Sequence, residues 1–375
     1  MRHGERRFQP PFKNMGAQVS RRPRRFEELD AFRGLAAIAV ALSHLTLHFS
    51  ATAGFNNGLQ WMAAAPPPVV YFSGVIPVCF FFMISGFVIF WTLEKCKTVG
   101  DFAVGRFSRL YPSYWTGLFI VFLILATDPL GQGYTAPDLA TLIANAAMIQ
   151  SFTGQKNIDP VYWSLGYELK FYLIMSAVFF TRLRVHAEKC LLLWLIIGVL
   201  WAFRSPPPSS LEGMAFDLVA APYAHFFIAG AAFYQRWRGN NSLINAVLIF
   251  APALGPFLHW PFFAAAVMML AWPLFWLAIK GRLAFLATRP LVFLGTISYA
   301  LYVLHLPLGH EIEHLLNAQN ISAWIIIPTA LTAAVATASL ATFFIEKPAM
   351  RLIRHAYRSW RPGVTPARRL PLPAK

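Results

Sequence analysis

The sequence predicts an all-α, polytopic integral membrane helical bundle, with about ten transmembrane helices and both termini cytoplasmic. Three observations predict it. The 375 residues are 57% hydrophobic and only 13% charged, with a mean hydropathy of +0.52. A soluble fold of that length cannot bury so much apolar surface. Apolar runs of roughly 20 residues recur along nearly the whole chain, the length that crosses about 30 Å of hydrocarbon. The basic residues gather in alternate connecting segments, the pattern of a chain threaded back and forth across a bilayer.

Taken in order, the spans fall at roughly 31–50, 69–92, 111–127, 162–181, 190–203, 217–234, 243–258, 261–279, 290–309 and 323–345. The first follows a basic stretch that has no short apolar core, so it acts as its own insertion signal rather than as a cleaved leader. Proline-rich breaks, "APPPVV" and "SPPPSS", separate the first span from the second and the fifth from the sixth. The connection 128–161 contains "TAPDLATLIANAAMIQSF", a short amphipathic piece suited to the interface. With a cytoplasmic N-terminus, the inner side receives the 93–110 loop, the Arg182–Lys189 turn, Arg236, Arg238, Lys280–Arg289 and the tail after Glu346. Of the 32 Lys and Arg, only Lys156, Lys170 and Arg204 lie outside these segments, the N-terminal tail and Arg33. Asp128, Asp138, Asp159, Glu212, Glu311 and Glu313 occupy the opposite connections. Domain organisation is correspondingly simple: a basic disordered tail at 1–28, one membrane domain at 29–354, and a basic, Pro-rich tail at 355–375.

The net charge of +16 would suit nucleic acid in a soluble protein, but its distribution follows membrane topology, so no nucleic-acid partner is expected. Cys79, Cys96 and Cys190 have no metal-ligand spacing and form no disulfide framework. No metal site is expected.

Ionisable side chains inside apolar spans are costly, and they mark functional paths. Arg33 and His44 are 11 residues apart in the first span, about three helical turns, so they share a face with His44 ~16 Å deeper. A snorkelling arginine and a histidine bonded between helices would give the same pattern. Arg106 and Arg109 share a face in "GRFSRLYPSYW", where paired guanidiniums suit a phosphate, although inner-side positive charge alone would also place them. In "VYWSLGYELKFYLI", Glu168 enters a span behind Trp163 and Ser164, and pairing with Lys170 is the structural alternative. In "ISYALYVLHLPL", Ser298, Tyr302 and His305 align on one face. Ser85 and Gly86 in "FFFMISGFVIF" fit close helix packing.

These motifs, in this order, resemble the membrane-bound acyltransferase-3 family. "LDAFRGLAAIAVALSHL" resembles its opening Arg-x10-His signature, "FFFMISGFVI" its second-helix segment, and Arg106/Arg109 its Arg-x-x-Arg motif. "WSLGYELKFY" is similar to its Trp-Ser-Leu-x-x-Glu pattern, "LYVLHLPL" to its late His-x-Pro, and "FIEKPAM" to its closing Glu-Lys/Arg-Pro. The likeness spans residues 27–354; Leu169 departs from it where many members carry a second glutamate. The resemblance implies an O-acyltransferase of the bacterial inner membrane, using acetyl-CoA as donor and a carbohydrate or glycosylated acceptor. It implies His44 as the catalytic group, oriented by Glu168 unless that carboxylate binds the sugar. Arg33, Arg106 and Arg109 would hold the donor phosphates, and Trp163, Ser164, Tyr302 and His305 the substrate. A proton-coupled transporter or flippase, with His44, Glu168 and His305 as relay, is the rival reading. Oligomeric state is open.

Overall fold

The computed structural model describes residues 26–360, and every regular element among them is helical. The tail expected at 1–28 lies outside the described residues up to position 25, and the tail expected at 355–375 does so from 361. Within the described part, residues 355–360 continue a helix. The helices that matter are α1 (Glu27–Thr52), α2 (Pro67–Leu93), α3 (Val99–Thr127), α4 (Leu139–Ala146), α5 (Trp163–Phe179) and α6 (Ala187–Arg204). They are followed by α7 (Leu211–Leu218), α8 (Ala224–Trp237), α9 (Leu243–Phe250), α10 (Phe262–Ile279), α11 (Arg289–Ala318) and α12 (Ala323–Trp360).

Seven described helices are long and apolar enough to cross a membrane: α1, α2, α3, the stretch Arg182–Arg204 that ends in α6, α10, α11 and α12. Helices α7 and α8 form a pair bent by 51°, which adds an eighth crossing if the two are one broken span rather than a re-entrant loop. The other two expected spans are shorter for identifiable reasons. Helix α5 has 17 residues, preceded by a turn begun at Pro160. The 243–258 segment is interrupted after α9 by Pro252 and Pro256, each opening a new short turn. Phe119, Leu200, Phe262, Trp324 and Phe344 are exposed on the bundle exterior, where lipid would cover them. The chain is a polytopic helical membrane protein.

Two close helix pairs form the centre. Helices α1 and α11 run parallel in constant register. A Cβ on Gly34 would meet the Gly295 nitrogen at 2.7 Å, and one on Gly295 the Asp30 oxygen at 1.9 Å. Further along, His44 meets His305, and Asn56 beyond the end of α1 meets Asn317; each pair is 261 residues apart. Helices α2 and α8 close at Gly86 and Gly230, whose added Cβ atoms would lie 2.1 Å from Phe227 O and 1.9 Å from Met83 O. Without a side chain at these points, backbones approach closely enough for van der Waals packing to hold helices that lipid would otherwise solvate equally well. Gly86, read from sequence as a packing residue, has that environment.

Pro307 in α11 cannot donate to the carbonyl of Val303, four residues earlier. The Tyr162 hydroxyl reaches that carbonyl at 3.5 Å, which in a bilayer must be satisfied by protein. Gly117 on α3 admits the contact, since a Cβ there would sit 2.8 Å from both oxygens. The connection between α3 and α5 is pinned over this region by buried Asn145. Its side chain donates to Thr141 O and Lys156 O and accepts from Ile158 N–H. This framework fixes α5 and α11 against one another just where the polar residues lie.

Candidate active site

Helix α1 departs from α geometry where its histidines fall. Residues His44–His48 form a π turn, a distortion that recurs at functional sites. On α11, His305 is fully buried, and its Nδ1 lies 3.1 Å from Leu301 O and 2.9 Å from Tyr302 O. Carbonyls only accept, so Nδ1 carries the proton and donates. In the neutral ring Nε2 is then an acceptor. His44 Nδ1, 2.8 Å away, donates to it, with the two rings stacked at 5.1 Å and 14°. The geometry leaves His44 Nε2 with its lone pair available. That nitrogen faces α2 at Gly74, whose Cβ position lies 3.4 Å from it. Glycine keeps the approach to the lone pair open.

One turn along α2 from Gly74, Val78 lines a cavity of about 110 Å³. It brings Arg33, Arg106, Arg109, Ser164, Glu168 and Tyr302 together, six of the nine residues given a catalytic or binding role from sequence. His44, His305 and Trp163 do not line it. Tyr302 joins the two regions: its carbonyl receives the His305 proton, and its hydroxyl lies 2.7 Å from Ser164 Oγ and donates to Val161 O at 2.9 Å. Trp163 packs instead against Phe82 and Tyr223, behind Ser164.

The cavity charges are arranged unequally. Arg109 pairs with Glu346, which is fully buried and also accepts from Ser113 Oγ at 2.8 Å. The anion beside Arg109 is thus a carboxylate from the closing Glu-Lys-Pro segment. Arg106 is different: its buried Nε has no hydrogen-bond partner among the described residues. Glu168 accepts hydrogen bonds from Ser85 Oγ at 2.8 Å and from Tyr172, rather than bonding to His44. Lys170 is not its partner; Lys170 pairs with Asp217 at 2.5 Å, and Tyr167 donates to the same carboxylate at 2.7 Å. Tyr172 and Tyr299 were not singled out from sequence, and Glu346 entered only as the glutamate of the closing Glu-Lys-Pro motif, with no role assigned. Tyr172 was findable, because it stands four residues after Glu168 on the same helical face. Tyr299 and Glu346 carry no local signal for their contacts.

The turn leading into α5 depends on Asp159. One carboxylate oxygen accepts from Val161 N–H at 2.9 Å; the other is buried without a partner. Burial pushes the Asp159 carboxyl up to about 7, against the opposing pull of the Val161 N–H. In the unfolded chain the same group ionises near 3.8. Between those values the folded state keeps a proton that the unfolded state releases, so stability falls as pH rises through this window. Asp159→Asn is expected to flatten that fall. Melting temperatures of both proteins from pH 4 to pH 7 check it, and parallel slopes would exclude a protonated buried Asp159.

A membrane-embedded bundle with an oriented histidine pair and an arginine-lined cavity defines a class: a multi-pass membrane protein with a polar centre. Residues 26–344 match the family model described as an acyltransferase domain, and the chain belongs to the acyltransferase-3 family. It is an acyltransferase. Acyltransferase MdmB of Streptomyces mycarofaciens is 25% identical over 371 residues, covering 88% of this chain and 92% of the relative. No solved structure matches the chain.

Proposed function

We propose that the protein is an O-acyltransferase of the bacterial inner membrane. It moves an acetyl group from cytosolic acetyl-CoA to a hydroxyl of a carbohydrate or glycosylated acceptor. The observation that carries the reading is the hydrogen-bond chain from the Leu301 and Tyr302 carbonyls through His305 to His44, which leaves a lone pair on His44 Nε2. His44 Nε2 takes the proton of the acceptor hydroxyl as its oxygen attacks the thioester carbonyl. The C–S bond breaks, the proton passes to the departing thiolate, and the ring returns to its starting state. A two-step route through an acyl-imidazole would use the same lone pair. His305 fixes the His44 tautomer.

The basic inner loops support cytoplasmic termini, with the Arg33 end of the bundle toward the cytosol. Arg106 and Arg33 then hold the donor phosphates. Arg109 contributes its charge while tied to Glu346. Ser164, Tyr302 and Glu168 meet the part of the substrate that enters the cavity, and Trp163 braces that wall from behind.

A guanidinium contacting phosphate through charge-assisted hydrogen bonds contributes about 1.5–3 kcal/mol. Arg106→Ala should therefore weaken acetyl-CoA binding by roughly 10- to 100-fold in calorimetry of the detergent-purified protein. Unchanged affinity would remove Arg106 from the donor site. Failure of the wild type to bind or turn over any acyl-CoA would defeat the reading itself.

A further inference from the structure

Beyond His44, α1 and α11 carry a second polar group that this mechanism does not use. The His48 ring stands edge-on to His44 at 5.8 Å. His310 stacks on His48 with centroids 5.9 Å apart and planes within 8°. Glu313 follows on α11, fully buried, and neither carboxylate oxygen has a hydrogen-bond partner among the described residues. His310 Nε2 is buried and equally unpartnered, 3.8 Å from Glu313 Oε2. One turn further, Asn317 ties the column to the loop after α1, accepting from Asn56 N–H and donating to Gly54 O.

A carboxylate and an imidazole nitrogen without partners are costly at this depth, and they call for a ligand group. The 3.8 Å separation is too long for a direct hydrogen bond and suits one oxygen held between them. That oxygen must donate its one hydrogen to the carboxylate and accept from an imidazole N–H. A hydroxyl does both. The second carboxylate oxygen remains to take another. Two neighbouring hydroxyls on one ligand are what a carbohydrate presents. Among the described residues, no group of three or more His, Cys, Asp or Glu could hold a metal ion.

We propose that Glu313 and His310 bind neighbouring hydroxyls of a carbohydrate acceptor, and that His48 lines its approach to His44. The proposal rests on the O-acyltransferase reading above and names where that reaction's acceptor sits. The site lies on the far side of His44 from Arg33, so donor and acceptor meet at the histidine from opposite ends of the bundle.

The test is calorimetric titration of methyl hexosides into the full chain, purified in a detergent without a sugar headgroup. Wild type is compared with Glu313→Gln, which conserves volume, and with His310→Phe, which keeps a ring against His48. Thermal unfolding confirms that each variant is folded. At least one hexoside should bind the wild type, with affinity falling about tenfold or more in either variant, the scale of a lost hydrogen bond to a charged group. Equal binding by wild type and both folded variants overturns the assignment, and so does a wild type that binds no hexoside. Acetyl-CoA turnover by the wild type, measured separately, reports on the acyltransferase reading alone. The two can therefore fail independently.

Discussion

His44→Ala is expected to lower acyl transfer by about 10³- to 10⁴-fold, the upper part of the range for a positioned general base, while the bundle still folds. The argument rests on what the side chain does in its surroundings. Its Nδ1 proton is committed to His305, 2.8 Å away, and its Nε2 faces the glycine of α2 rather than a protein partner. Packing therefore loses little beyond one hydrogen bond, whereas the chemistry loses its only oriented lone pair. His44→Asn sharpens the comparison. An asparagine amide can still donate toward His305, yet it offers no basic nitrogen. Both variants should be equally inactive with radiolabelled acetyl-CoA, and their melting should remain cooperative. Full transfer by a folded His44→Ala protein would end the mechanism. His305→Phe should fall between wild type and His44→Ala, because it frees the tautomer without removing the base.

The sequence carried the polar centre better than it carried the contacts within it. Arg33, Arg106, Glu168 and Tyr302 stand out because an ionisable or hydrogen-bonding group in an apolar run is expensive, and that expense is visible residue by residue. All four line one cavity. What local pattern cannot reveal is partnership over distance. His44 and His305 are 261 positions apart, and Arg109 and Glu346 are 237 apart. The Lys170 partner is nearer, 47 positions away, but just as hidden: sequence offered Glu168, two residues before it, but the chain folds α7 back so that Asp217 arrives instead. The π turns at His44–His48 and Ala341–Glu346 were also illegible, since the same residues would form α-helix with little change in propensity. Crossing number depends on helix length as well as on apolarity: the 243–258 run is helical over Leu243–Leu258, but that helix is shorter than the seven crossing helices.

Breaking the Arg109–Glu346 pair gives the second large effect, on stability. Glu346 is fully buried and bonded to both Arg109 and Ser113, so it joins α12 to α3 across the bundle. Removing one member of a buried pair strands the other charge, at a cost of about 3–5 kcal/mol. Glu346→Ala should accordingly lower the melting temperature by several degrees, as should Arg109→Ala. The double change Arg109→Met with Glu346→Leu should recover most of the loss, because an apolar pair of similar volume leaves no charge unpaired. The same three variants decide what Arg109 is for. If it only fastens α12, the double variant recovers acetyl-CoA affinity together with stability. If it also holds the donor, stability returns but affinity does not, and the shortfall should resemble that of Arg106→Ala. A Glu346→Ala protein as stable as wild type would mean that the pair fastens nothing. Arg109 would then be available to the donor, with Glu346 as the group it leaves on binding.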